Sequence, residues 1–92
     1  MVALSEQTML EIEAERRLLQ KADLDIERGR SRLRNQQELV ASLQASSQHS
    51  TEGERLVQLL QRMLIEWERH RNLIEQRLAY LERGPGSSDP QG

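Results

Sequence analysis

Apolar residues recur at every seventh position through the first half of the chain, as Ile12, Leu19, Ile26, Leu33 and Val40. A seven-residue repeat lines one face of an α-helix with a continuous stripe, the seam of a coiled-coil-like contact. The companion positions carry Ala22, Gly29, Gln36 and Leu43, mostly small or polar, which lets a partner helix approach closely. A second row, Leu60, Trp67, Ile74 and Leu81, runs through the later half, flanked by Leu56, Met63, Leu64 and Leu78. Helix breakers gather between the rows, in SSQHSTEG, and again after the second, in GPGSSDPQG. The pattern predicts a helix over about 9–45, a loop over about 46–51 and a helix over about 52–83. The tail over 84–92 has no apolar residue to bury and is expected to be disordered.

Local signals agree with these bounds. Thr8 with Glu11, and Thr51 with Glu54, have the spacing of a capping box, in which a hydroxyl and a carboxylate satisfy helix-start N–H groups reciprocally. Ser5 is a competing first start. Gly84 and Pro85 supply the stop. So short a loop forces the two helices to lie antiparallel, and the fold class is all-α, a two-helix hairpin.

Charge tests the orientation independently. Residues 6–27 carry seven acids against three bases and residues 28–45 four bases against one acid, whereas the second helix runs from net −2 over 52–68 to net +2 over 69–83. Antiparallel pairing sets each block against its opposite. With the turn near Gln48, facing residue numbers should add to about 96 or 97, at 1.5 Å rise per residue on both helices. Gly29 then falls near Trp67 and His70, where a missing β-carbon makes room for the indole.

Composition narrows the function classes. Of 92 residues, 15 are Leu, Phe is absent, and Trp67 and Tyr80 are the only aromatics, so the core is aliphatic and helical. There is no Cys, which removes disulfides and thiolate metal sites and suits a reducing compartment. No secretory segment and no long apolar run occurs, so the expected location is the cytoplasm, without a membrane partner. A net charge of −2 gives no overall pull toward nucleic acid.

Candidate chemistry is sparse. Arg28, Arg30, Arg32 and Arg34 could meet phosphate, but residues two apart on a helix point about 200° apart, so the four split into two stripes. Asp25 and Glu27, three residues before Arg28 and Arg30, are expected to pair with them. Glu66 and His70, four apart, are the best metal candidates, yet the Glu-x-x-His spacing of di-iron bundles is missing, and a packed interfacial histidine is the plainer expectation. The serines sit in caps, loop and tail or singly on the first helix, with no nucleophile–base pair. The expectation is a non-enzymatic protein without cofactor or small-molecule substrate.

Two helices with one stripe each leave residues over. Leu10, Leu24, Leu39, Ile65, Leu73 and Tyr80 project away from the seam, and Leu59, Leu73 and Tyr80 form a second strip. A hairpin of this size has little surplus stability, so the second strip is expected to meet another helix, either in a homodimeric four-helix bundle or on another helical protein. The nucleic-acid reading through Arg28–Arg34 and the metal reading through Glu66 and His70 stand behind this one.

The segment IERGRSRLRNQQELV over 26–40 resembles a group of short, uncharacterised all-helical proteins from alphaproteobacteria. HSTEGERL over 49–56 is similar to that group's loop and second-helix start, and ERHRNLI over 68–74 to its later His-Arg element. The resemblance spans most of residues 12–82. The group commonly has Asp where this chain has Ser50. It implies a bacterial cytoplasmic hairpin and brings no activity with it.

Overall fold

A computed structural model describes residues 5–83, and among them there are two helices and no strand: α1, Glu6–Ala45, and α2, Thr51–Arg83. The pair is an all-α antiparallel hairpin: the early α1 residues Glu15 and Arg16 pair with the late α2 residues Arg77 and Glu82, and mid-helix Arg30 pairs with mid-helix Glu68. The tail expected to be disordered lies outside the described residues, as do Gly84 and Pro85.

The first helix starts earlier than its periodicity suggested, at Glu6 instead of residue 9, because Ser5 is the cap and Thr8 is not. Ser5 has extended backbone (φ −68°, ψ 157°), and its Oγ accepts the Thr8 N–H at 3.0 Å. The Thr8–Glu11 box does not form: Thr8 Oγ1 accepts from Ser5 Oγ at 2.8 Å, and the Glu11 carboxylate accepts from Gln7 at 3.3 Å. Any helix start leaves four N–H groups without an intrahelical partner, and the Ser5 hydroxyl takes up one of them.

At the other end α1 closes in a Schellman motif without glycine. The Gln48 N–H donates to the Leu43 carbonyl at 2.8 Å and the Ser47 N–H to the Gln44 carbonyl at 3.1 Å, with Ser47 in the left-handed region at φ 58°. The chain then re-enters helix one residue sooner than the Thr51 box required, with Ser50 preceding the first helical residue. Ser50 is buried, its carbonyl accepts the Glu54 N–H at 2.9 Å, and its Oγ donates to Glu54 Oε2 at 2.6 Å. Gln44 donates to the same carboxylate oxygen at 3.3 Å, so Glu54 ties the end of α1 to the start of α2.

The core is a single seam. Ile12, Ile26, Gly29 and Val40 of α1 are buried, with Leu19, Ala22, Leu33, Gln36 and Leu43 half-buried between them. From α2 come Leu60 and Ile74, with Trp67 and Leu81 half-buried in the same row, and a second row of Val57, Leu64, Arg71 and Leu78. Ile74 is only 1% exposed, the most deeply buried large side chain. Leu56, expected to flank the seam, is 41% exposed and lies outside it, because the α2 stripe runs toward Val57 and Leu64 and away from Leu56.

Candidate functional site

The seam leaves two long edges where α1 and α2 meet solvent, and the two are built differently. On one, residues seven apart along α1 (Arg16, Asp23, Arg30, Gln37, Gln44) face residues seven apart along α2 (Glu82, Glu75, Glu68, Gln61, Glu54). Arg16 meets Glu82 at 2.6 Å, Arg30 meets Glu68 at 2.6 Å and Gln44 meets Glu54 at 3.3 Å. At the Asp23 and Glu75 rung two acids oppose, and Arg71 resolves the clash. Its Nε donates to Asp23 Oδ1 at 2.6 Å and its Nη1 lies 3.1 Å from Glu75 Oε2. The Asp23 hydrogen bond, with the two carboxylate charges, raises the Arg71 pKa above the ordinary arginine value against the opposing effect of burial. Arg71 stands in an otherwise apolar row, and periodicity alone assigned it only to a charge block. The signal was available: Val57, Leu64 and Leu78 flank it at multiples of seven.

The other edge carries mostly hydrocarbon, beside the Arg77–Glu15 pair at 3.2 Å. Leu18 and Leu39 of α1 and Leu56 of α2 are 45%, 50% and 41% exposed. Leu39, Leu43 and Leu56 line one groove near the turn, together with His49 and Arg55. The predicted second strip continues this edge around α2: Leu59 is 45%, Leu73 49% and Tyr80 73% exposed. Along one helix these residues are joined by Met63, half-buried, and by Glu66 and His70, both exposed. Leu10, Leu24 and Ile65 are exposed on other faces.

His70 does not reach the glycine. A β-carbon on Gly29 would sit 2.9 Å from Leu64 Cδ2 and 3.0 Å from Trp67 Cζ3, whereas His70 is exposed within the single hairpin. The reason is angular: His70, three residues beyond Trp67, is rotated about 60° from it, out of the seam and onto the solvent edge. Periodicity missed a second close approach, where a β-carbon on Gly53 would sit 2.9 Å from Val40 Cγ2.

The arginine block divides as its spacing required, and its partners differ from those expected. Arg30 bridges to Glu68 across the hairpin, Arg34 donates to Ser31 Oγ at 3.1 Å, and Asp25 takes Lys21 at 2.7 Å instead of Arg28. The i,i+4 lysine and the facing helix outcompete the i,i+3 arginines. Both oxygens of Glu66 accept from Arg69 Nη1, at 3.2 and 3.0 Å. Among the described residues no three His, Cys, Asp or Glu side chains converge as metal ligands, and no helix is long and apolar enough to cross a membrane. No family model, curated protein or solved structure matches the chain.

Proposed function

We propose that this protein is a non-catalytic interaction module whose docking face is the apolar edge carrying Leu39, Leu56, Leu59, Leu73 and Tyr80. The observation that supports the reading is the contrast between the two edges. One is closed along its length by interhelical ion pairs, and the other, crossed by the Arg77–Glu15 pair at 3.2 Å, presents large apolar side chains 41–73% exposed at helical spacing. Completing the burial of each such side chain is worth about 1 kcal/mol at roughly 25 cal/mol per Å². Scattered exposure would carry no such meaning, but a strip at helical spacing is what helix-in-groove packing uses. The partner is a helical surface, of another copy or of another protein.

Arg30 and Arg34 already have partners within the chain and Arg28 and Arg32 lie on a separate stripe, so the block offers no four-arginine face to phosphate. Light scattering on the full chain, together with capture of partners by a tagged chain from its native lysate, tests it. Wild type should show a mass above 10.7 kDa or retain a stoichiometric helical partner, and Leu73→Asp should lose either. A wild type that stays at monomer mass and retains nothing overturns it, as does a Leu73→Asp variant indistinguishable from wild type.

A further inference from the structure

Resting on the reading of that edge as the docking face, we propose that its occupant is a second copy of this chain. The two hairpins would lie side by side, related by a twofold axis perpendicular to the helices that crosses α2 at Glu68 and α1 between Arg28 and Gly29. The outer strip of α2 is complementary to itself about that point. With two copies antiparallel and residue 68 on the axis, Leu56 faces Tyr80, Met63 faces Leu73 and Glu66 faces His70, each contact occurring twice. Leu59 faces Arg77, whose aliphatic stem can cover it. Tyr80, 73% exposed in the single hairpin, enters the groove that Leu39, Leu43 and Leu56 line on the other copy.

The first helix gives the same answer separately. Its edge row, Leu18, Asp25, Arg32 and Leu39, pairs with itself about a point between 28 and 29, setting Leu18 against Leu39 and Asp25 against Arg32. The two centres stand at one level of the hairpin, since Gly29 packs on Trp67 and Arg30 bridges to Glu68 at 2.6 Å. Two strips read on different helices thus locate one axis, and the product is a four-helix bundle.

Several shifted alignments fail on charge or on length. Moving the copies by four residues in one sense sets Glu66 on Glu66. A full heptad in that sense sets Glu66 on Met63, and a heptad in the other carries Leu56 and Leu59 past Arg83, the end of α2. Parallel pairing brings Glu66 onto Glu66 and Asp25 onto Asp25. Like charges facing one another across an interface are costly, which selects the antiparallel register.

Because the chain has no Cys, introduced thiols report geometry directly. Full-length Met63→Cys and Leu73→Cys, mixed and oxidised, should give disulfide-linked heterodimer in several-fold excess over either variant oxidised alone. Leu56→Cys mixed with Leu59→Cys should link poorly, because the axis places those positions roughly 30 Å apart at 1.5 Å per residue. In parallel, Glu66→Lys should weaken self-association about tenfold, and adding His70→Glu should restore it. A dimer that links 56 to 59 as readily as 63 to 73, or in which His70→Glu does not rescue, overturns this register while leaving the apolar edge as the docking face. A wild type that stays monomeric at 100 µM, a ~10⁻⁴ M ceiling on affinity, overturns the second copy as occupant, and the capture experiment above then decides the edge itself.

Discussion

The ring of Trp67 lies directly over Gly29, with Cζ3 3.0 Å from the position a β-carbon on that glycine would take. Leu64 Cδ2 closes the same space from the other side at 2.9 Å. Leu64 is buried, and the indole is rigid, so neither can withdraw freely. In a helix interior, replacing Gly by Ala ordinarily gains about 1 kcal/mol. Overpacking a closed site costs about 1–3 kcal/mol. The packing cost should win here, and Gly29→Ala is predicted to destabilise the hairpin by about 1 kcal/mol, with Gly29→Val worse. Urea unfolding followed by circular dichroism measures it. A gain in stability would mean that Gly29 serves only to bend α1.

That contact was legible in the sequence, and so were the two helices, the turn and the orientation, because each rests on spacing. Ile26 and Leu33 are seven apart, Trp67 and Ile74 are seven apart, and opposed charge blocks permit one pairing direction. What spacing does not encode is competition among neighbours of similar chemistry. Ser5 and Thr8 are both able to cap α1, and Ser50 and Thr51 are both able to cap α2. In each case the earlier residue is the one used, Ser5 by accepting the Thr8 N–H and Ser50 by donating to the Glu54 carboxylate. Arg71 was hidden for a related reason. A periodicity search scores it as polar, although its stem occupies a core row and its guanidinium reaches out to Asp23 and Glu75. His70 was placed near Gly29 by residue number alone, and level along an axis does not settle direction around it.

Ser47 occupies a position that favours glycine. A left-handed backbone costs an L-residue roughly 1–2 kcal/mol, and glycine's greater freedom in the unfolded chain returns part of the gain. Ser47→Gly is therefore predicted to stabilise the hairpin by about 0.5–1 kcal/mol, since φ 58° closes the Schellman motif of α1. The thermal midpoint should rise. An unchanged or lower midpoint would show that the serine hydroxyl contributes something the backbone geometry does not.

At the start of α2, Ser50→Ala removes the hydroxyl that donates to Glu54 at 2.6 Å. Loss of one intramolecular hydrogen bond typically costs about 1 kcal/mol. The same loss is predicted here, with faster amide exchange across 51–54. Ser50→Asp should give no compensation despite aspartate's quality as a cap, because its carboxylate would face that of Glu54. A stabilised Ser50→Asp protein would contradict the assigned bond.

Arg71 and Asp23 are predicted to be energetically coupled in a way that salt, not pH, controls. A cation whose folded-state pKa is raised contributes its full stabilisation below the ordinary arginine value and loses it only as pH climbs through the raised one. Through the neutral range the pair is therefore constant. The cycle of Asp23→Asn, Arg71→Gln and the double variant should give a favourable coupling at low salt that shrinks toward 1 M salt, where the screening length falls to about 3 Å. Coupling insensitive to salt would point to packing of the arginine stem as the source. Arg71→Leu should keep helicity while admitting shifted registers, since an apolar row without its one charge no longer distinguishes them.

The deepest and the most exposed large residues of α2 should respond to protein concentration in opposite ways. Ile74 is 1% exposed, and truncating a buried isoleucine to alanine costs about 2–5 kcal/mol through lost burial and the cavity left behind. Ile74→Ala should lower the thermal midpoint at every concentration, because the seam exists within one chain. Tyr80 is 73% exposed in the hairpin, and truncation at such a position ordinarily changes stability by less than about 0.5 kcal/mol. A wild-type midpoint that climbs with concentration, beside a Tyr80→Ala midpoint that does not, would locate the tyrosine's contribution between chains, since only binding to the folded state couples stability to mass action. A Tyr80→Ala loss that is already complete at the lowest concentration would place its packing inside its own hairpin instead.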